Sequence, residues 1–473
     1  MFTFKKTKGI YKLLALLFLT TSCQQHLSVG NDLAVPVPQG WKTEQLCEDG
    51  PPLCTEWWTL FNDPQLDALE MTALSQNKDL LAACDRILEA RALAGIAFSD
   101  RLPDLFFTPS IRQEKILIDF SDFSPSSGDR RVYQNLYAFP LDFSYEFDFW
   151  GKYLHANKAA RARLLAAQWG YLNVYNALTS DVAILYFSLR TLDEEIGYLE
   201  KAHEVRALTV HLFRTRVEAN LDPEIDLFRA KLELARAEQE LEDTKRLRNE
   251  GENALAVLLG TFASSFSLER GQLSQENPRI PPDLPSELLL NRPDIREKTE
   301  LVLAALEEVG VANAEFFPSF SLTSSLGLVS PQLSHWFTWK DRFWSLTLRS
   351  LQVLFSGGRL CNQQRAAQAC YLQAVHDYQR QVEIAFQDVE NALNEIQYRK
   401  KQYEAQKKAQ AAAAETTHLA KEQFEAGIIN YLQVADAEKM ELDAEREAIR
   451  LKGTNLMAAI QLIKALGGGW HAS

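Results

Sequence analysis

Residues 216–241, RVEANLDPEIDLFRAKLELARAEQEL, align without a gap on residues 423–448, QFEAGIINYLQVADAEKMELDAEREA, at an offset of 207. Identities include Glu218 with Glu425, Ala219 with Ala426, Ala230 with Ala437, Ala237 with Ala444 and Glu238 with Glu445. A second match sets residues 90–108 on 305–323 at an offset of 215, pairing Gly95 with Gly310, Ala97 with Ala312 and Pro103 with Pro318. Ala-rich helical sequences match one another easily by chance. Two matches in the same order, with the same kinds of element around them, indicate a duplicated unit. Each unit reads as a long helix, two strands, a very long helix, a turn and a long helix.

The helices are long. From Arg359 to Ala426, 68 residues contain neither Gly nor Pro, and a continuous helix of that length extends roughly 100 Å. Val375, Tyr378, Val382, Ala385, Val389, Ala392 and Ile396 recur at spacings of 3 and 4, as do Leu178, Val182, Leu185, Leu189, Leu192, Ile196 and Leu199 in the other half. Sustained spacing of this kind places helices side by side in a bundle or coil.

Between the helices lie four amphipathic strands, expected at about 104–113, 132–148, 319–329 and 342–355. Tyr133, Tyr137, Phe139, Leu141, Phe143, Tyr145 and Phe147 hold the odd positions, with Asn135 out of pattern, while Asp142, Ser144, Glu146 and Asp148 face the other way. Phe320, Leu322, Leu326 and Leu328 alternate with hydroxyl residues; Trp344, Leu346 and Leu348 alternate with Ser345, Thr347 and Arg349; a shorter pattern surrounds Leu105, Phe107 and Ile111. Alternation fits any half-buried antiparallel sheet. Strands near the ~9–11 residues of a tilted bilayer crossing, with aromatics on the apolar face, also fit a membrane barrel.

The N-terminus tips the balance. Lys5, Lys6, Lys8 and Lys12 precede an apolar run, Leu13 to Leu19, and then Thr20-Thr21-Ser22-Cys23, the pattern of a secretory signal peptide over residues 1–22. No segment is long and apolar enough for a spanning helix, so an exported chain that crosses a membrane must do so as a closed barrel. Four strands cannot close one, because the smallest membrane barrels have about eight, so several chains must share it. The residues leave two, three or more copies open.

Cys23 resembles the lipidated cysteine of the bacterial lipoprotein box; Ser22 and Thr21 suit it, whereas Thr20 stands where Leu, Val or Ile is usual. Cys47 and Cys54 flank a turn-rich loop in which an oxidising compartment permits a disulfide. Cys84, Cys361 and Cys370 lie in helical sequence without CxxC spacing and read as buried thiols. A net charge of −13 and the lack of a basic cluster argue against a nucleic-acid partner. His203-Glu204 stops short of HExxH, no GxSxG or phosphate-cradling loop occurs, and the eight histidines are scattered, so neither catalysis nor a cofactor is expected.

Several motifs resemble the outer-membrane efflux family of TolC and OprM type: residues 57–66 (WWTLFNDPQL) at the entry, 145–152 (YEFDFWGK) at the second strand's end, 291–296 (NRPDIR), 316–319 (FFPS) and 355–360 (FSGGRL). Asn291 replaces a usual Arg. The resemblance implies an α+β membrane protein with internal two-fold duplication: a trimeric 12-stranded outer-membrane β-barrel, four strands per chain, continued by a long periplasmic α-helical barrel. It divides the chain into an anchor and extended segment (23–64), a first repeat (65–260), a linker (261–290), a second repeat (291–466) and a tail (467–473). The implied role is passive export, with a homotrimer, a periplasmic membrane-fusion adaptor, an RND-type inner-membrane pump and outer-membrane lipid as partners.

In that family the helix pairs end in turns at the periplasmic tip, which fall here at 217–226 and 424–434. Gly427 suits a left-handed backbone, and Asn220 tolerates it second best. Asn220 and Leu221, with Gly427 and Ile428, are the expected adaptor-docking tips. Leu432, Asp436 and Lys439 share a helix face and coincide with the family's constriction positions; Arg229, the repeat-equivalent of Asp436, and Arg216 are expected in the charge network of the closed gate. An ordinary surface pair between Asp436 and Lys439 is the plainer alternative for those two. For the whole chain the alternative is a lipid-anchored coiled-coil structural protein or adhesin, which leaves the four strands unexplained.

Overall fold

The structure, a computed structural model, describes residues 56–118, 130–273, 292–332, 334 and 338–469. The expected signal peptide, Cys23, the Cys47 and Cys54 pair, and Asn291 lie outside these residues. After a short 3₁₀ helix at Trp57–Phe61 come α1 (Pro64–Gln76), α2 (Lys78–Ser99), β1 (Asp104–Phe107), β2 (Ser110–Ile118), β3 (Arg130–Phe147), α3 (Lys152–Glu218) and α4 (Glu224–Leu258). Then follow α5 (Pro293–Ala314), β4 (Ser319–Ser330), β5 (Arg342–Leu351), α6 (Arg359–Glu425) and α7 (Tyr431–Leu466).

The duplication is visible in these bounds. α3 and α6 are each 67 residues and start and end 207 positions apart. α2 and α5 are each 22 residues and start and end 215 positions apart. The first half nevertheless opens with two helices where the sequence suggests one. Asn77 accounts for the break: its N–H closes α1 on Ala73 O at 2.9 Å, and its Oδ1 accepts from Asp79 N and Leu80 N at 2.9 and 3.0 Å, capping α2.

The chain forms two compact units that cut across the two halves. One holds Leu88–Ala166 and Thr299–Asp377; the other holds the described residues of Ala34–Ile87, Ala167–Lys298 and Tyr378–Ser473. The first unit carries the sheet, antiparallel throughout, in which β1 and β2 both pair with β3, β3 with β4, and β4 with β5. The first strand is therefore broken. Pro109 has no N–H for the ladder, and Thr108 bridges the gap by donating from its backbone to Pro140 O at 3.3 Å and from its hydroxyl to Asp142 Oδ2 at 2.6 Å. The last strand stops at Leu351, short of the expected 355, because Gln352 turns its amide onto Phe316 O at 3.1 Å.

Register merges the separate alternations into one apolar face. Leu105 opposes Phe143, Phe107 opposes Leu141, Leu141 opposes Leu326, and Leu326 opposes Trp344. Tyr145, Leu322 and Leu348 form another row across β3, β4 and β5, while Glu146, Ser321 and Arg349 form a row on the opposite face. The apolar side is open, with Trp344 76% and Leu348 68% exposed. At the end nearer the helices, Phe149 meets Phe147 and Phe320 at 5.6 and 5.4 Å, and Trp150, stacked on Phe317 at 4.7 Å, donates to Pro318 O at 2.8 Å. An aromatic rim of this kind, apolar in body and polar at one atom, suits a membrane interface.

The second unit is helical. Leu178, Val182, Leu189, Ile196 and Leu199 of α3 and Val382, Ala385, Val389 and Ala392 of α6 are buried. They are most of the 3,4-spaced stripe expected from the sequence. Around them runs a buried charge network. Asp193 receives Arg190 at 2.9 Å, Arg248 at 2.6 Å and Gly271 N at 3.2 Å. Arg248 also donates to Leu268 O at 2.6 Å, so the first part of the linker is tied to α3 and α4. Arg292 donates to Asp294, Asp388 and Ala465 O, pinning the end of α7 to the start of α5.

Cys84, Cys361 and Cys370 are free thiols, but Cys84 and Cys370 are exposed, not buried as the sequence suggests. They lie on faces of α2 and α6 that the single chain leaves uncovered.

Candidate functional site

Both helix hairpins of the second unit end in the same turn. α3 ends at Glu218, and Asn220 takes φ +55°; its N–H bonds Val217 O at 2.9 Å, and Leu221 N bonds Arg216 O at 2.8 Å. α6 ends at Glu425, and Gly427 takes φ +73°; its N–H bonds Phe424 O at 2.9 Å, and Ile428 N bonds Gln423 O at 2.9 Å. These paired bonds satisfy carbonyls that a helix end leaves free, and they need a left-handed residue at this position. Only glycine adopts that backbone without strain, and Asn is the best substitute.

The returning helices start alike but are capped differently. Asn430 caps α7, its side chain accepting from Gln433 N at 3.4 Å. Pro223 occupies the corresponding place before α4 and makes no side-chain cap bond. Behind the turns, Phe213 packs on Tyr431 with ring centroids 4.2 Å apart, and Phe424 lies 6.2 and 6.1 Å from the two. Val210, Ala230 and Val434 complete this core. Burial, together with Glu438, pushes the Tyr431 hydroxyl well above the ordinary tyrosine range.

The core fixes which side chains face out. Leu221 and Ile428, directly after the left-handed residues, are 69% and 72% exposed. On α7, Tyr431, Val434 and Ala437 point inward, and Leu432, Asp436 and Lys439 point outward on one face. Among the described residues neither Asp436 nor Lys439 has an ion-pair partner, so the surface pair weighed above does not form. The structure does not bring the two arginines to Asp436 within one chain. Arg216 clamps the first turn through Asp222, Nε to Oδ2 at 2.5 Å and a second nitrogen to Oδ1 at 3.1 Å. Arg229 lies 3.6 Å from Asp226 on its own helix.

Sequence reasoning missed Ile225 and Phe228, large apolar residues exposed beside the first turn. The signal was present: Ile225 is the repeat-equivalent of Leu432 at the same offset of 207, as Arg229 is of Asp436. It also missed Lys421 of α6 reaching Glu438 of α7 at 3.0 Å, which no local spacing reveals.

The sequence matches the family described as "Outer membrane efflux protein" over residues 70–261 and 284–468. It is 30% identical over 426 residues to the probable outer membrane lipoprotein SilC of Salmonella typhimurium, covering 88% of each chain. It is 28% identical over 444 residues to the pyoverdine export outer membrane protein OpmQ of Pseudomonas aeruginosa, covering 93% of each. The fold superposes on the outer-membrane channel OprN with a TM-score of 0.86 at 26% identity, covering 93% of this chain and 99% of that one.

Proposed function

The chain belongs to the outer membrane efflux protein family, and from that premise we propose that three copies close one barrel and form the passive exit duct of a tripartite pump. It is an outer-membrane efflux component. The observation that carries the closed duct is the sheet: one continuous apolar face, and two edges, β1 with β2 on one side and β5 on the other, unpaired among the described residues. Strand edges cannot stay open in lipid, where no water satisfies their N–H and C=O groups. The β5 edge of one copy therefore pairs with the β1 and β2 edge of the next.

The helix tips carry the docking and gating residues of this reading. Leu221 and Ile428 offer apolar points to a periplasmic adaptor, which links the duct to an inner-membrane pump of RND type. Copies of Leu432 and Asp436 form an apolar and an acidic ring with Lys439 beside them, favouring cations and resisting leakage. Arg216 and Arg229, held in each chain by Asp222 and Asp226, supply the charges that keep the tips together until the adaptor docks. Lipid on Cys23 anchors the chain. No step of this reading requires a cofactor or a catalytic residue.

The test is conductance in planar bilayers with the purified protein. Discrete channels are expected, with block by multivalent cations from the tip side. Asp436→Ala is expected to weaken that block at least tenfold. Absence of any conductance overturns the duct, and unchanged block in the variant overturns the acidic ring alone.

A further inference from the structure

We infer that the exposed face of α2 is the seat for the first turns of α6 from a neighbouring copy of this chain. The inference rests on the reading of a barrel shared between copies, and it adds which residues meet. Its basis is a contact that one half of the duplication makes and the other lacks.

Within the first unit α5 is held on two sides. Toward α3, Glu315 lies 3.6 Å from Lys152 Nζ, Glu307 lies 2.5 Å from His155 Nδ1, and Glu308 pairs with Arg163. Toward α6, Gln364 donates to Asn313 Oδ1 at 2.7 Å. No residue of α5 is exposed.

α2 is the counterpart of α5 and has only one of these neighbours. Asn157, the counterpart of Gln364, donates to Ala94 O at 3.5 Å, which repeats the contact between α5 and α6. The contact between α5 and α3 has no repeat among the described residues. Ala92, Leu93 and Asp100, the counterparts of Glu307, Glu308 and Glu315, are all exposed. The paired glycines report the same vacancy: a Cβ on Gly310 would lie 2.6 Å from His155 Nδ1, whereas nothing lies within 4 Å of one on Gly95.

The matching surface is open on α6. Arg359, Asn362 and Cys370, the counterparts of Lys152, His155 and Arg163, are exposed. The packing order is thus α2, α3, α5, α6, with α2 uncovered at one end and α6 at the other. Repeating the relation of α3 to α5 between copies joins those ends head to tail, the kind of interface that generates a ring when the rotation between copies closes.

The chemistry differs between the two seams. The seam inside the chain is carboxylate against base along its length. Between copies, Asp100 meets Arg359 of the partner subunit and keeps one such pair near the sheet. Further along, Leu93 meets the partner subunit's Cys370, and Ile96, 58% exposed in the single chain, extends the apolar strip. The Cys370 thiol is then covered in the assembly, as its helical setting suggests.

The full-length chain in detergent, with Cys84 and Cys361 changed to Ser and Leu93→Cys added, is treated with a short bismaleimide. Chains linked in twos and threes are expected on a denaturing gel and are lost when Cys370→Ser is added. An intact oligomer on a native gel that yields only single chains after denaturation overturns this seam and leaves the shared barrel standing. Single chains already on the native gel, before any cross-linking and in the unaltered protein, overturn the shared barrel itself. If Leu93→Cys disturbs assembly, Asp100→Arg carries the test. It is expected to lose the heat-resistant oligomer and regain it with Arg359→Asp, and loss without recovery overturns the pair.

Discussion

Glu70 is fully buried on α1, and neither of its carboxylate oxygens meets a hydrogen-bond partner among the described residues. Burial first, and then the charge of Asp67, push its pKa well above the ordinary glutamate range. Folding therefore favours the protonated form. Stability is undiminished below the unfolded pKa, and it is lost progressively as pH climbs from there toward the folded value. Glu70→Gln removes the charge without changing the shape. The variant is expected to melt higher than the parent at neutral pH, with the gap closing toward pH ~4, where the unfolded glutamate also holds its proton. A gap that stays constant across the pH series refutes this account. Such a residue is invisible in the sequence, where Glu70 reads as one more surface acid of an amphipathic helix. Asn220 and Gly427 were legible because the backbone they adopt restricts residue type. The partner of Arg216 was not, since Asp222 and several other acids lie equally near in sequence.

Elements were legible where a period repeats many times, and less so where one side chain decides. The 67-residue helices declared themselves by spacing and by the lack of Gly and Pro, whereas the break at Asn77 depends on a single cap. Tertiary ties between elements left no periodic trace. Arg190, Asp193 and Arg248 come from two helices and lock the start of the linker, yet no spacing joins Asp193 to Arg248, 55 positions away. The Asp193 side chain is 1% exposed and lies against both arginines. Removing it leaves the buried Arg190 without a carboxylate among the described residues, while Arg248 keeps Glu252 at 2.9 Å, a loss of roughly 3–5 kcal/mol for a buried pair so broken. Asp193→Ala should lower the melting temperature markedly by circular dichroism. Glu250→Ala, which breaks the solvent-facing pair with Arg246, should change stability by about 0.5 kcal/mol or less. Equal effects from the two changes would show that the network does not hold the linker.

The two faces of the sheet sum up what the whole molecule must satisfy. On β3 the apolar side runs from Phe147 to Tyr137, and then Asn135 pairs with Gln113 and Tyr133 with Lys115. Asn135, out of pattern in the sequence, thus marks where the apolar band ends. Ten residue steps of strand, tilted as barrel strands are, raise that band to roughly 25 Å, about the apolar height of an outer-membrane barrel. Both faces could be read from alternation, and the need for several chains from the strand count, but the way the edges meet could not, because no spacing within one chain records it. Leu346 and Thr347 are neighbours on opposite faces near the middle of the band, opposite Ser324 and Thr323. If the apolar side meets lipid, Leu346→Lys costs about 2–4 kcal/mol of the inserted barrel, read as a lower melting point of the detergent-extracted oligomer. Thr347→Lys faces the lumen, so it should leave that melting point near the parent's and instead reduce cation conductance. The opposite ranking would mean that the sheet is inside out, and no arrangement of the helices could then restore a water-filled passage through it.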